Sequence, residues 1–375
     1  MNNRERALAV LNYQPYDRLP IVHFGFWNET LERWAKEGHV TADDAKTWHD
    51  GGPTDKKIGE KLGFDLNWGG AAGPDTHLKP PFERKVVEEM PGGARKFLNG
   101  DGVVVLERDG ATSIPSEVDH LLKDRASWEE HYKFRLQFDL SRVDMLWRDG
   151  GREWLQQEEY EELRTLACGS LFGRIRNLLG LVGVSYLYAE DEALFDEIIE
   201  TVGALCYECV KTILEAGAKF DVGHFWEDIC FKGGPLIIPS VFDEKVGPQY
   251  KRITDLLRRH GVNLVSVDCD GCIDALIPTW LDNGVNVMFP IEVGTWHASI
   301  KPWREQYGRE LRGVGGMDKR VFAQDYAAID AEIERLKPLV ELGGYLPCPD
   351  HRIAPDAKWE NVRYYCERMR QAFGE

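Results

Sequence analysis

Two apolar segments of this chain stop abruptly at acidic residues, and those stops are where chemistry is expected. The segment Gly261 to Val267 (GVNLVSV) runs into Asp268-Cys269-Asp270-Gly271, and Val285 to Pro290 runs into Glu292. Asp268 and Asp270, at i and i+2 off a strand end, join His351 from the last strand to supply two oxygens and one imidazole. That is enough for an open metal site. The expected metal set is Asp268, Asp270, His351 and Glu292, and the expected catalytic set is Asp268, His351 and Glu227. Plainer roles compete: Asp268 could cap a helix starting near Cys272, and His351 could be a hydrogen-bonded turn residue.

Other candidates gather at the same kind of position. If every strand's C-terminal end faces one mouth, that mouth also collects Asp65, Ser170, Asp228, Asp318 and Asp350. So many carboxylates repel one another unless a cation, a proton or a basic substrate resides among them. Phe26, Trp27, Trp68, Trp226, His224 and Cys348 are the expected substrate-binding walls. Cys269 and Cys272 point elsewhere if the carboxylates point inward, so they read as small buried residues. Cys206 and Cys209 form a second CxxC pair, but they lie within a long helical pattern, and the gap between the pairs matches no common zinc module.

The elements that must position these residues alternate regularly. Strands are expected at about 19–24, 64–70, 165–171, 219–225, 262–267, 285–290, 311–315 and 343–348. Helices are expected at about 174–188, 192–216, 240–260, 272–282, 321–341 and 358–373. Eight strands in this order predict a single (β/α)8 TIM barrel spanning residues 1–375, with its ligand-facing rim at the strand C-termini. Residues 81–116 break the alternation with short segments such as Lys85-Val86-Val87 and Val103 to Arg108, which predict an inserted β-hairpin flap.

Composition sets the outer limits. With 375 residues, 43% hydrophobic and 29% charged, the chain is long enough for one large α/β domain with a substantial core. Lys and Arg total 46 against 63 Asp and Glu, a net charge of -17, which disfavours nucleic acid and anionic membrane surfaces. The apolar runs fall short of a membrane span, MNNRERALAV lacks a secretory pattern, and the eight cysteines suit a reducing compartment, so the cytoplasm is expected.

Four segments in order, RERALAVLNYQPYDRLPIV, WEDICFKGGPLIIPSVFDEKVGPQYKRI, GVNLVSVDCDGCIDALIPTWLDNGVNV and GGYLPCPDHRIAPDAKWENV, resemble the uroporphyrinogen decarboxylase superfamily. That superfamily includes the cobalamin-dependent (corrinoid) methyltransferases, and the resemblance spans nearly the whole chain. It implies the same (β/α)8 fold. The decarboxylases carry an arginine-rich motif just after the first strand, where this chain reads IVHFGFWNETLERW with Arg33 its only arginine. That departure disfavours a polyanionic tetrapyrrole, although His351 falls where the decarboxylases carry their late histidine.

The zinc methyltransferases of the family show His-x-Cys-Gly at the 268 strand end and a further cysteine in the last loop. Those positions are Asp268, Asp270 and His351 here, a harder donor set that suits an oxygen-activating divalent cation, with zinc the family's metal. The pattern looks most like demethylases acting on methoxy compounds. The resemblance therefore implies methyl transfer between a small, methoxylated substrate and a corrinoid carried by a partner protein. A decarboxylase of the porphyrin type and a non-catalytic binder of a tetrapyrrole or corrinoid protein are the alternatives.

Overall fold

The computed structural model describes residues 1–107, 116–148 and 150–374. Two short strands, β1 (Val22–His23) and β2 (Leu66–Asn67), form a parallel pair. An antiparallel sheet follows in the order β3 (Lys85–Glu89), β4 (Arg95–Leu98), β5 (Val103–Glu107) and β6 (Ser116–His120). It occupies the stretch where a hairpin was expected, but as four strands, the last running beyond residue 116. Arg108, expected as a strand end, lies outside the described residues.

The regular alternation then begins with β7 (Thr165–Gly169) and β8 (Val222–Trp226). A small hairpin, β9 (Cys230–Phe231) and β10 (Gly234–Pro235), stands over the end of β8. It is followed by β11 (Leu264–Asp268), β12 (Val287–Ile291), β13 (Arg312–Met317) and β14 (Tyr345–Pro349). Strands β14-β13-β12-β11-β8-β7 make one six-stranded parallel sheet.

The expected closed eight-stranded barrel is found only in part: six strands form one parallel sheet and two form a separate pair. Single parallel bridges link the two parts, Phe26 to Ile353 on one side and Ala72 to Leu166 on the other. The pair is short because Gly25, at φ 74, turns the chain out of the strand immediately after Phe24. A cleft of about 690 Å³ opens beside the second bridge, bordered by Asn67, Ala72 and Thr165.

Helices cover the outer face of the sheet, so β11 and β12 are buried along their whole length. Gly247–Arg259 shows how a helix does this: Tyr250, Ile253 and Leu257, at i, i+3 and i+7, form one buried stripe. Each such side chain contributes roughly 1.5–3 kcal/mol on burial. The helix expected at 272–282 forms only over Ile277–Asp282, starting from Leu276, too far along the chain for Asp268 to cap it. Phe172–Glu190 is helical but broken at Gly180, whose φ and ψ of 68 and 164 leave the helix. No helix among the described residues is long and apolar enough to cross a membrane.

Candidate functional site

Register and alternation build the site. Strands β8 and β11 pair Ser266 with His224 and Asp268 with Trp226. Side chains two apart share a face, so His224 and Trp226 point the same way as Ser266 and Asp268. The Asp270 N–H donates to Asp228 Oδ1 at 3.1 Å, carrying the register past the strand ends. Asp228, Asp268 and Asp270 thereby place ligand oxygens within 4.8 Å of one another.

Asp228 is the member that the sequence reading passed over in favour of Glu227. The same alternation sends Glu227 outward, where it is fully buried and accepts from Leu171 N–H (2.9 Å), Gly173 N–H (2.6 Å) and Tyr250 O–H (2.6 Å). Burial pushes its carboxyl up to about 7 against those three donors. Glu227 ties the helix after β7 to the sheet and has no oxygen to spare for the mouth. Counting the phase from Asp268 across to β8 was the signal that could have selected Asp228.

The aspartate cluster is electrostatically strained. Burial, then the charges of Asp228 and Asp270, raises the Asp268 carboxyl well above its ordinary range. Burial and Asp270 push Asp228 up to about 6. Asp228 also holds a left-handed backbone at φ 48, uncommon for a residue with a side chain, while its carbonyl accepts from Arg176 Nη2 at 3.0 Å.

His351 meets this group through one member only, with Nε2 3.2 Å from Asp270 Oδ2. Its ring stacks on Trp27 at 5.5 Å and 14° and meets Phe24 edge-on at 5.6 Å. Its Nδ1 is buried without a hydrogen-bond partner among the described residues. Glu292 stands next to Asp270, yet both its oxygens are in use: Oε2 accepts from Gly271 N–H at 2.5 Å and Oε1 from Thr295 O–H at 2.8 Å. The structure therefore groups Asp228, not Glu292, with Asp268 and Asp270, and leaves His351 at the edge of the set.

Three carboxylates and an imidazole fit a hard or borderline divalent cation. Neighbouring donors around one ion with bonds of about 2.1 Å sit about 3 Å apart, the spacing of His351 Nε2 and Asp270 Oδ2. Crowded carboxylates that resist ionising alone are those a cation relieves. Among the described residues no thiol joins the carboxylate cluster: Cys269 is fully buried and accepts from Ile229 N–H at 3.4 Å.

The remaining candidates divide. Trp27 and Trp226 are half-buried at the rim. Trp68 and His224 lie deeper, both against Phe289 at 6.4 and 6.1 Å, with Phe24 meeting the same ring at 4.5 Å. Phe289, in register with Asp268, is thus the centre of an aromatic floor that sequence reasoning missed. His224 shares a 2.5 Å hydrogen bond with Ser266, and burial depresses it to about 4, so it is neutral.

Phe26 packs away from the mouth against Trp34 and Trp48. Cys348 is fully buried near Tyr365 of the last helix, its thiol raised well above the ordinary range by burial. Neither lines a binding wall. Asp65 lies at the opposite end of the strands, just before β2. Lys319, also missed, follows β13 into the mouth. Burial pulls its ammonium down, while Asp350, Asp270 and Glu292 oppose that.

No protein-family model and no curated protein sequence matches the chain. Among solved structures it is similar in fold to a methyltransferase from Methanosarcina mazei. The two share 14% identity and a TM-score of 0.58, with 99% of each chain covered. A Listeria monocytogenes protein described as a putative vitamin-B12 independent methionine synthase aligns at 12% identity and a TM-score of 0.40, covering 96% of this chain and 99% of that one. The first likeness is one of fold; the second is too distant to bear argument.

Proposed function

We infer that the protein is a methyltransferase that moves a methyl group between a small, methoxylated substrate and a corrinoid carried by a partner protein. The eight parallel strands act as one (β/α)8 barrel, with Asp228, Asp268 and Asp270 at its mouth. The single observation that carries the reading is that carboxylate cluster, with His351 alongside and an aromatic floor beneath. The family resemblance of the sequence and the fold likeness to a methyltransferase support it.

Asp228, Asp268, Asp270 and His351 would hold a divalent cation, zinc among the candidates. When bound, the cation supplies Lewis acidity to the oxygen that loses its methyl group. Phe24, Trp68 and Phe289 offer apolar surface to a ring and exclude water from it. Trp27 fixes the plane of His351 by stacking, so the imidazole keeps its approach to Asp270. Glu292 orients the Gly271 backbone that follows Asp270.

The porphyrin-type alternative needs a cluster of free arginines. Arg352 is paired with Asp50 at 2.5 Å, Arg174 with His77 and Asp101, and Arg176 with the Asp228 carbonyl. That reading therefore has no support here.

Elemental analysis of the protein purified without added metal is the test, alongside Asp268→Ala and a spectroscopic assay for methylcobalamin formed from cob(I)alamin and methoxylated aromatics. The expected outcome is bound metal and cobalt methylation in the parent protein and neither in the variant. A folded parent protein with no metal and no cobalt methylation would overturn the assignment.

A further inference from the structure

We propose that the cleft between β2 and β7 is a second ligand site, which takes a small organic anion through Arg164 and Arg4. Its basic end lies at the start of the strands, opposite the aspartate cluster, and the proposal does not depend on the methyl-transfer reading.

The cleft, of about 690 Å³, is large enough for a small molecule, and both arginines line it. Arg164 immediately precedes β7, and Asp221 immediately precedes β8. The Asp221 N–H donates to the Arg164 carbonyl at 2.8 Å, which fixes the two residues side by side. Arg4 reaches the same place from the helix Asn3–Leu11. The guanidinium carbons of Arg164 and Arg4 lie 3.8 and 4.2 Å from the centre of the Tyr160 ring, and Trp154 covers Arg164 at 4.3 Å.

Arg164 is 4% exposed, yet among the described residues no carboxylate forms an ion pair with it. Its Nη2 donates to Gln157 Oε1 at 3.1 Å, and its Nη1 is buried without a partner. Asp221 is adjacent but engaged. Both its oxygens accept from Arg4, at 2.8 to 3.1 Å, and one also accepts from Tyr160 O–H at 3.1 Å. Two guanidiniums therefore share one aspartate.

Other buried arginines show what a purely structural role looks like. Arg142 donates to the carbonyls of Gln137, Asp75, His77 and Arg135, and Arg304 to those of Leu342 and Gly343. Neither leaves a buried nitrogen unpaired. Arg164 does, and a guanidinium cannot shed its charge to relieve the cost. The remaining carboxylates along the cleft do not meet the need. Asp50 is held by Arg352, Asp55 by Trp48, Asp65 by Arg18 and Glu162 by Lys56, while Glu60 and Glu161 are exposed to water.

The missing partner is an acidic group, carboxylate or phosphate, accepting from Nη1 of Arg164 and from Nη1 of Arg4, which no described residue takes. Trp154, 45% exposed, offers its ring to the apolar body of such a ligand.

Isothermal titration calorimetry of the full chain with benzoate, phenyl phosphate and neutral benzamide, at constant ionic strength, tests this. At least one anion is expected to bind at a single site, and benzamide is not. Arg164→Met should weaken the anion by about 10- to 100-fold, and Arg164→Lys should retain part of the affinity. Arg4→Met frees Asp221 to pair with Arg164 and should weaken the anion too, which keeps the test decisive if Arg164→Met fails to fold. Asp268→Ala should bind the anion as the parent protein does. Binding of benzoate alone would assign the acidic group as a carboxylate, and of phenyl phosphate alone as a phosphate. Failure of both anions to bind, equal binding of benzamide, or affinity unchanged in the folded arginine variants would overturn the proposal. So would loss of binding in Asp268→Ala, which would place the anion at the mouth. Metal content and cobalt methylation are read separately, so the methyl-transfer reading stands or falls without this site.

Discussion

Aspartates stand at both ends of the parallel strands, and the two ends surround them with opposite partners. At the N-terminal ends, Asp65 precedes β2 and accepts from Arg18 at 2.6 and 2.9 Å, from Ile21 N–H at 2.8 Å and from Arg370 at 3.3 Å. Asp221 precedes β8 and accepts from Arg4, Tyr160 and the Arg164 N–H. At the C-terminal ends, Asp228, Asp268 and Asp270 face one another, with only His351 in ion-pair reach among the described residues. Burial pushes the Asp65 carboxyl up, but Arg18 and the Ile21 amide outweigh it and hold it below its usual value. Asp268 goes the other way. A paired aspartate beneath a sheet is a clamp; an unpaired cluster above it awaits a ligand.

Replacing one residue at each end should separate the two roles. Asp65→Ala leaves Arg18 without its bidentate partner and is expected to cost about 3 kcal/mol in denaturant unfolding, with metal content unchanged. Asp268→Ala is expected to lose the metal and to leave the metal-free protein no less stable. If Asp65→Ala released metal without lowering stability, the division between the ends would be wrong.

The acidic cluster should also give the metal-free protein an inverted pH response. Asp228 ionises at about 6 when folded and at about 4 when unfolded. Its folded form keeps the proton longer, so the stability this group contributes is present below about pH 4 and is lost as pH rises through about 6. Thermal melts across that window should show the decline, Asp228→Asn should flatten it, and an added divalent cation should reverse it. A flat profile in the metal-free parent protein would argue that the cluster is not self-repelling.

The smallest effect is expected at Cys272, half-buried on the loop after Asp270. Cys272→Ser should change stability by less than about 0.5 kcal/mol and leave metal content alone. Loss of metal there would bring thiolate into a site assigned to oxygen and imidazole.

Much of this was legible in the chain. The GVNLVSV-DCD junction announced a buried strand ending in two inward carboxylates, because apolar runs and period-two alternation are local properties. The order of strands and helices announced a parallel α/β sheet for the same reason. The choice of Asp228 over Glu227 was written in that alternation too, although it could be read only with β8 and β11 in register. Other features had no local signature. Phe26 packs outward and Phe289 inward, a difference that Gly25 and the register of β12 decide. Nothing in DKR distinguishes Lys319, without an ion-pair partner among the described residues, from Arg320, bound to Asp318.

What the sequence alone determined is the order of strands and helices and which residues alternate along a strand, since hydrophobic spacing acts over a few residues. What tertiary structure decided is which charges find partners. Asp65 meets Arg18 and Arg370, while Asp268 clusters with Asp228 and Asp270, and the pairings with Arg370 and with Asp228 join residues far apart in the chain. Coulombic and desolvation energies depend on distance and burial in space, which no local pattern encodes.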